Sequence, residues 1–335
     1  MSYVGRLAPS PTGALHLGNV RTFLIAWLRA RSQDGKVIFR MEDLDHPKDK
    51  PGAAAQAVED LRWLGFDWDE EYVQSERKHI YRKALEVLQE GRKTEDGRRE
   101  PFVYPCVCSR RDVEAAQSAP HAGEQLYYPG TCRDRFSSWR EALDFKRRHA
   151  LGTRHQALGT LSPCWRFRVP DHCVVAFDDA FAGHYEQDVA KTLGDFPLAR
   201  DEFGAGYTLA CAVDDLLMGV TEVVRGDDLL PATPAQILLA RTLCNSSIRQ
   251  FANLPISTLS YLHIPLVVGK DGKRLAKRHG DTRIAAFREQ GKAPEEIIGF
   301  LAASCGWAAR GERISLHGLV PRFDLSTIPH APFMI

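Results

Sequence analysis

The chain has 335 residues, 44 % hydrophobic and 26 % charged, with a formal net charge of +1. That balance fits a folded globular protein of two or three domains, and excludes a disordered chain or a uniformly basic nucleic-acid binder. Any polyanion must therefore meet a local patch.

The amino terminus, "MSYVGRLAPSPTG", has no basic region followed by an apolar stretch, so no secretory signal is expected. No apolar run approaches the ~18 to 20 residues that span a bilayer. A cytoplasmic, membrane-free protein is the expectation. "YVGRLA" (3–8) reads as a short strand ended by Pro9, Pro11 and Gly13. "NVRTFLIAWLRARS" places apolar residues at 20, 23, 24, 27 and 28, a helical period. "KVIFRM" (36–41) suits a buried strand, so the start reads as a parallel β-α-β unit. Ligands of such sheets sit at the carboxyl ends of the strands. The loop "APSPTGALHLGN", Glu42, Asp43 and Asp45 all fall there. A helix starting near His16, Gly18 and Asn19 would offer N–H groups to phosphate, with Asn19 as cap or ligand contact. It is not a Walker loop, because G-x-x-x-x-G-K-[ST] is missing. "QEGRKTEDGRREP" (89–101) reads as a loop.

Of eight cysteines, Cys106, Cys108 and Cys132 lie within 27 residues, a spacing that suits zinc. The other five read as small buried hydrophobes. His121 is the fourth ligand that general chemistry prefers, and three metal-free cysteines are the bland alternative. From Arg133 to Arg168 there are nine Lys or Arg against three acids, a candidate phosphate-contacting patch or a solvated helix face. "DGKRLAKRHG" (271–280) follows the apolar run "HIPLVV" and concentrates Lys273, Arg274, Lys277 and Arg278.

These segments together resemble the class I aminoacyl-tRNA synthetases of the glutamyl and glutaminyl branch. "RLAPSPTGALHLGN", "FRMEDLD", "YTLACAVDDLLMGVTEVVRGDDLL" and "RLAKR" stand in that family's order and span most of the chain. The resemblance implies an α/β fold: a Rossmann-like parallel sheet, a zinc-containing insertion and a small helical carboxyl-terminal region that contacts the tRNA stem. It divides the chain into 1–100 and 196–245 for the catalytic halves, 101–195 for an acceptor-binding-type insertion, and 246–335 for the stem-contact region. Only 57 residues follow Arg278, too few for the family's anticodon-binding domain. That layout resembles a truncated branch whose members activate glutamate with ATP and attach it to queuosine at the wobble position of tRNA(Asp). Alternatives are a short discriminating enzyme that charges tRNA(Glu), a non-catalytic tRNA-binding relative, and a free-standing nucleotidyltransferase.

The resemblance also implies roles. Arg6, Ala8, Ser10, Glu42, Tyr207 and Arg225 would bind glutamate, the arginines through carboxylates and Glu42 through the ammonium. His16, Gly18, Asn19 and Lys277 would bind ATP, His16 and Lys277 acting catalytically by charge stabilisation without a covalent nucleophile. ATP would come with Mg2+. One structural Zn2+ would be held by Cys106, Cys108, Tyr128 and Cys132 in the family's C-x-C…Y-x-x-x-C pattern, with His121 and Tyr127 as rivals for the fourth position. The enzyme is expected to act as a monomer. Two positions depart from the pattern. Cys211 stands where an Asn commonly follows the binding Tyr, and Ala276 replaces the usual serine of the mobile loop.

Overall fold

The computed structural model describes residues 2–44, 50–116, 126–150, 162–245, 259–273, 275 and 281–335. Strand β1 (Val4–Leu7) and β2 (Lys36–Met41) are joined by helix α1 (Leu17–Arg31), and pair in parallel from Val4↔Lys36 to Leu7↔Phe39. Helix α2 (Ala53–Trp63) crosses to β3 (Glu70–Val73), parallel to β2. Strands β1 and β2 are buried on both faces, which explains why their apolar runs do not alternate. Helix α1 buries Val20, Phe23, Leu24, Trp27 and Leu28, the period expected for a helix packed on a sheet. Helix α3 (Lys78–Glu90) covers the other face with Tyr81, Ala84, Leu85 and Leu88.

The stretch 89–101 is not purely a loop. It folds into a two-stranded hairpin, β4 (Arg92–Lys93) and β5 (Arg99–Glu100). Each strand is two exposed residues long, so no burial pattern marks it. A second sheet follows: β6 (Val103–Cys106), then helices α4 (Arg110–Ala116) and α5 (Trp139–Ala150), then β7 (Cys164–Phe167), antiparallel to β6. Strands β8 (Val174–Asp179) and β9 (Gly183–Asp188) form a hairpin, helix α6 (Val189–Thr192) turns the chain, and β10 (Pro197–Ala199) joins β7.

Helix α7 (Tyr207–Leu217) leads to β11 (Glu222–Gly226), and α8 (Thr233–Cys244) precedes β12 (Ser260–Ile264). Strands β11, β12 and β8 are parallel. Strand β11 lies beside β1, where the Thr221 N–H donates to the Val4 carbonyl at 2.9 Å and the Arg6 Nη1 donates to the Val224 carbonyl at 2.8 Å. The spatial order is thus β3-β2-β1-β11-β12-β8-β9, with β9 antiparallel at the edge, and the chain reverses direction of travel between β1 and β11. In open α/β sheets this switch point is where ligands bind, beyond the carboxyl ends.

The apolar run "HIPLVV" is split by Pro265 into the end of β12 and β13 (Val267–Val268). Helices α9 (Ile284–Glu289) and α10 (Pro294–Ala303) and the terminal strand β14 (Phe333–Met334) close the chain. Buried Arg21 of α1 ties this region in, donating to Ser304 Oγ and to the Pro265 carbonyl, both at 2.9 Å. No helix among the described residues is long and apolar enough to cross a membrane.

Candidate active site

The switch point gathers charge that an apolar sheet ordinarily excludes. Arg6 is the third of four residues in β1, Arg225 the fourth of five in β11, and both are buried. Arg40, fully buried in β2, donates through Nη1 to Asp215 Oδ1 at 2.7 Å and through Nη2 to Glu42 Oε1 at 2.9 Å. Asp215 also lies 3.7 Å from Arg6 Nε. Burial raises the Asp215 carboxyl, but Arg40 and Arg6 outweigh it and hold the group below the usual carboxylate range. Glu42 is fixed further by its own N–H, which donates to the Pro9 carbonyl at 2.9 Å.

Helix α7 brings the remaining wall. Tyr207 opens the helix and is 41 % exposed. One turn later, buried Cys211 donates its thiol to Glu42 Oε1 at 3.3 Å. Burial, with Glu42 next, pushes the Cys211 thiol well above its ordinary range, so it remains a donor. The departure at Cys211 therefore falls directly on the group expected to meet the substrate ammonium. Three buried N–H groups of this cluster, Arg6 Nε, Arg40 Nε and Arg225 Nη1, have no hydrogen-bond acceptor among the described residues. Unpaired buried donors of this kind are costly unless a ligand completes them. Ala8 and exposed Ser10 lie in the loop just after β1.

His16, not Asn19, is the N-cap of α1. Its Nδ1 accepts from the Gly18 N–H at 3.1 Å, while the Asn19 side chain accepts from the His16 N–H at 3.2 Å. The proton of a neutral His16 is thereby placed on Nε2. A Cβ at position 18 would come within 3.1 Å of the His16 ring, so glycine permits this packing. The helix start is narrower as an anion site than its sequence suggests, because the Gly18 N–H is spent on His16 and the Leu17 N–H on the Thr282 carbonyl. The latter bond, the His16↔Arg283 bridge and the Ile284 N–H donating to the Leu15 carbonyl join the His16 loop to residues 282–284. The segment following the basic loop therefore returns beside His16. Lys277, Arg274 and Ala276 lie outside the described residues, as do Asp45, His121 and Arg154. Asp43 is occupied structurally, accepting from the Ser75 N–H at 2.8 Å and hydroxyl at 2.6 Å.

The cysteine cluster assembles. The sulfurs of Cys106, Cys108 and Cys132 lie within 4.8 Å of one another. The Tyr128 hydroxyl is 3.2 Å from Cys106 Sγ and 3.7 Å from Cys108 Sγ, and accepts from the Cys132 N–H at 2.9 Å. Tyr128 is 2 % exposed and Tyr127 38 %, which separates the two rivals. Gly194, at φ +65°, lets Tyr128 dock: the Tyr128 N–H donates to the Leu193 carbonyl, and a Cβ at 194 would overlap the Tyr128 carbonyl. The thiols of Cys108, Cys132 and Cys164 hold Cys106 well below the usual thiol range, aided by Arg166 Nε at 3.2 Å. Three sulfurs and a phenol oxygen converging in this way fit the donor set that zinc takes. Cys164, read from sequence as a core filler, stands opposite Cys106 in the β6–β7 register.

The basic stretch divides. Arg166 is buried, and Arg133 and Arg168 are tied to the Val169 and Arg133 carbonyls and to Asp134. Arg140, Arg147 and Arg148 of α5 are exposed. The sequence reading missed Asp215 and its neighbour Asp214, although two acids inside the apolar run "LACAVDDLL" were a signal. Asp214 accepts from Arg77, Gln74 and Tyr81 at 2.9, 3.0 and 2.7 Å, anchoring α7 to α3.

A family model described as "tRNA synthetases class I (E and Q), catalytic domain" matches residues 3–330. The "Glutamyl-Q tRNA(Asp) synthetase" of Symbiobacterium thermophilum is 44 % identical over 343 residues, covering 99 % of this chain and 95 % of the relative. The protein of that name from Rhodopirellula baltica is 42 % identical, covering 100 % and 97 %. The crystal structure of a glutamate tRNA ligase from Elizabethkingia meningosepticum, in complex with its amino acid, superposes with a TM-score of 0.73 at 26 % identity. It covers 100 % of this chain and 67 % of that one.

Proposed function

We propose a two-step reaction for this chain, which belongs to the class I tRNA synthetases of the glutamyl and glutaminyl type. It is a ligase that activates L-glutamate with ATP and transfers it to queuosine in tRNA(Asp). In the first step a glutamate carboxylate attacks the α-phosphorus of ATP and pyrophosphate leaves. In the second a nucleophilic group of queuosine attacks the adenylate carbonyl and AMP leaves.

The observation that carries the reading is the charge pattern at the switch point. Arg6 and Arg225 each present a buried N–H without an acceptor among the described residues, while Asp215 sits between Arg6 and Arg40, and Arg40 holds the carboxylate of Glu42 in the same cluster. Glutamate carries two carboxylates and one ammonium. Arginine suits each carboxylate by its fork of donors. Glutamine would leave one arginine facing a neutral amide, and the unpaired charge is the basis of discrimination. We assign Arg6, Arg225, Glu42 and Tyr207 to glutamate, with Ala8 and Ser10 at the rim. His16, with Gly18 and Asn19 shaping its loop, is assigned to the ATP phosphates. Lys277 is assigned to the departing pyrophosphate on the strength of the loop motif. Mg2+ accompanies ATP in this family and lowers the charge that these groups must meet. Cys106, Cys108, Tyr128 and Cys132 are assigned to one structural zinc.

The test has two stages. Glutamate, and not glutamine, is expected to support pyrophosphate exchange without tRNA. Glutamate is then expected to pass to tRNA(Asp) containing queuosine, and not to the same tRNA lacking it. Transfer to tRNA(Glu) alone would show a discriminating synthetase instead. No exchange with either amino acid would leave only a tRNA-binding relative.

A further inference from the structure

Arg225 is held by a buried chain of polar groups that substrate binding alone does not explain. His263 stands opposite Arg225 in the β11–β12 register and is 1 % exposed. Its Nδ1 lies 2.6 Å from Asp179 Oδ2. Its Nε2 lies 3.0 Å from Arg225 Nε and 3.1 Å from Thr233 Oγ1. Arg225 Nη2 donates to Thr233 Oγ1 at 2.7 Å.

The chemistry of these groups fixes the direction of each bond. A guanidinium can only donate. Nε2 of His263 must therefore be the bare nitrogen, and the ring proton sits on Nδ1, donating to Asp179. The single lone pair of Nε2 is taken by Arg225, so the Thr233 hydroxyl turns to the Leu229 carbonyl at 3.2 Å. Asp179 is itself pinned, its Oδ1 accepting from the N–H groups of His263, Phe181 and Ala182 at 3.1, 3.0 and 2.8 Å. With Nε and Nη2 both held, the plane of the Arg225 guanidinium is set. Nη1 is the part left over, buried and without an acceptor among the described residues.

We infer that Asp179 and His263 are positioning residues for glutamate. By fixing the imidazole tautomer they orient Arg225, so that its Nη1 meets a substrate carboxylate. Neither touches the reacting atoms, and the inference rests on the glutamate reading above.

Asp179→Asn separates orientation from packing. The amide oxygen is held by three backbone donors, so its NH2 faces His263 Nδ1 and donates. The ring proton then moves to Nε2, where it opposes the Arg225 N–H. A reversed tautomer of this kind cripples a site while leaving its shape intact. In glutamate-dependent pyrophosphate exchange without tRNA, the KM for glutamate is expected to rise on the order of tenfold or more, the scale of one hydrogen bond to a charged group. The KM for ATP is expected to stay near that of the unchanged chain, measured at a temperature where the variant remains folded. His263→Ala should act in the same direction, and His263→Gln, whose amide oxygen can accept from Arg225 Nε, should restore part of the loss. An unchanged glutamate KM in Asp179→Asn, or an equal rise for ATP, would overturn the inference. Should that variant not fold, Thr233→Val removes the acceptor of Nη2 instead, with the same two outcomes. No glutamate exchange in the unchanged chain would overturn the reaction itself and this inference with it.

Discussion

Arg40 is a charge with no contact to solvent, and it survives in the sheet because two carboxylates close on it. Replacing it removes the partner of both Asp215 and Glu42. Breaking a buried ion pair by deleting one member costs about 3–5 kcal/mol, because the remaining charge is stranded. Arg40→Ala is therefore expected to lower the stability measured by urea unfolding by an amount of that order. The acids and His263 also give stability a pH dependence of definite sign. Asp215 and Asp179 are buried, which raises their pKa, but Arg40 with Arg6 in one case, and His263 with three backbone N–H groups in the other, together lower it more. Their contribution is present above the ordinary aspartate pKa of about 4 and is lost as pH falls through the lower folded value. His263 is depressed, chiefly by burial. Its unfolded form takes up a proton below about pH 6.5 while the folded form resists, so stability declines as pH falls through that point. Thermal midpoints are expected to drop between pH 7 and 5, and less steeply in His263→Gln.

At the scale of elements, β1, α1 and β2 were legible because continuous apolar runs and a helical period each have one physical meaning over such lengths. Arg6 of β1 and Arg225 of β11 were legible through the motifs of the family resemblance, whereas Arg40 of β2 was not, although charge in a buried run needs a reason. Other features were not. The capping role of His16 could not be read, because Asn19 is the better cap by residue type, and only the loop geometry gives the cap to His16. The division of the stretch 133–168 into held and exposed cations depends on partners distant in sequence, such as Asp195 beside Arg133. The Asp179–His263 chain joins β8 to β12, 84 residues apart, and neither residue sits in a recognisable motif. Cys164 was unreadable for the same reason, since only the β6–β7 register brings it to Cys106. Spacing reports chemistry when ligands lie on one loop, and is silent when a sheet assembles them.

Taken whole, the molecule keeps its two chemistries in separate packing units. Tyr104, Cys106, Tyr128, Cys132, Phe136 and Ala142 form their own buried cluster, distinct from the two that enclose the central sheet. Asp195 links this unit to the rest, accepting from the Tyr104 hydroxyl at 2.7 Å and the Val169 N–H at 2.8 Å. A metal held by the cysteines would stabilise that cluster by mass action, on the order of 2.7 kcal/mol at a hundredfold excess over Kd. It would not bear on the arginines at the switch point. Purified protein is therefore expected to contain one equivalent of zinc by metal analysis, and Cys108→Ser to reduce it. Chelation should lower the thermal midpoint and weaken transfer to tRNA, whose backbone would meet the exposed Arg140, Arg147 and Arg148 of this region. Glutamate-dependent pyrophosphate exchange without tRNA should persist at a temperature where the stripped protein stays folded. If chelation abolished exchange and transfer together at that temperature, the metal would have to act on the switch point, and the separation argued from the packing would be wrong.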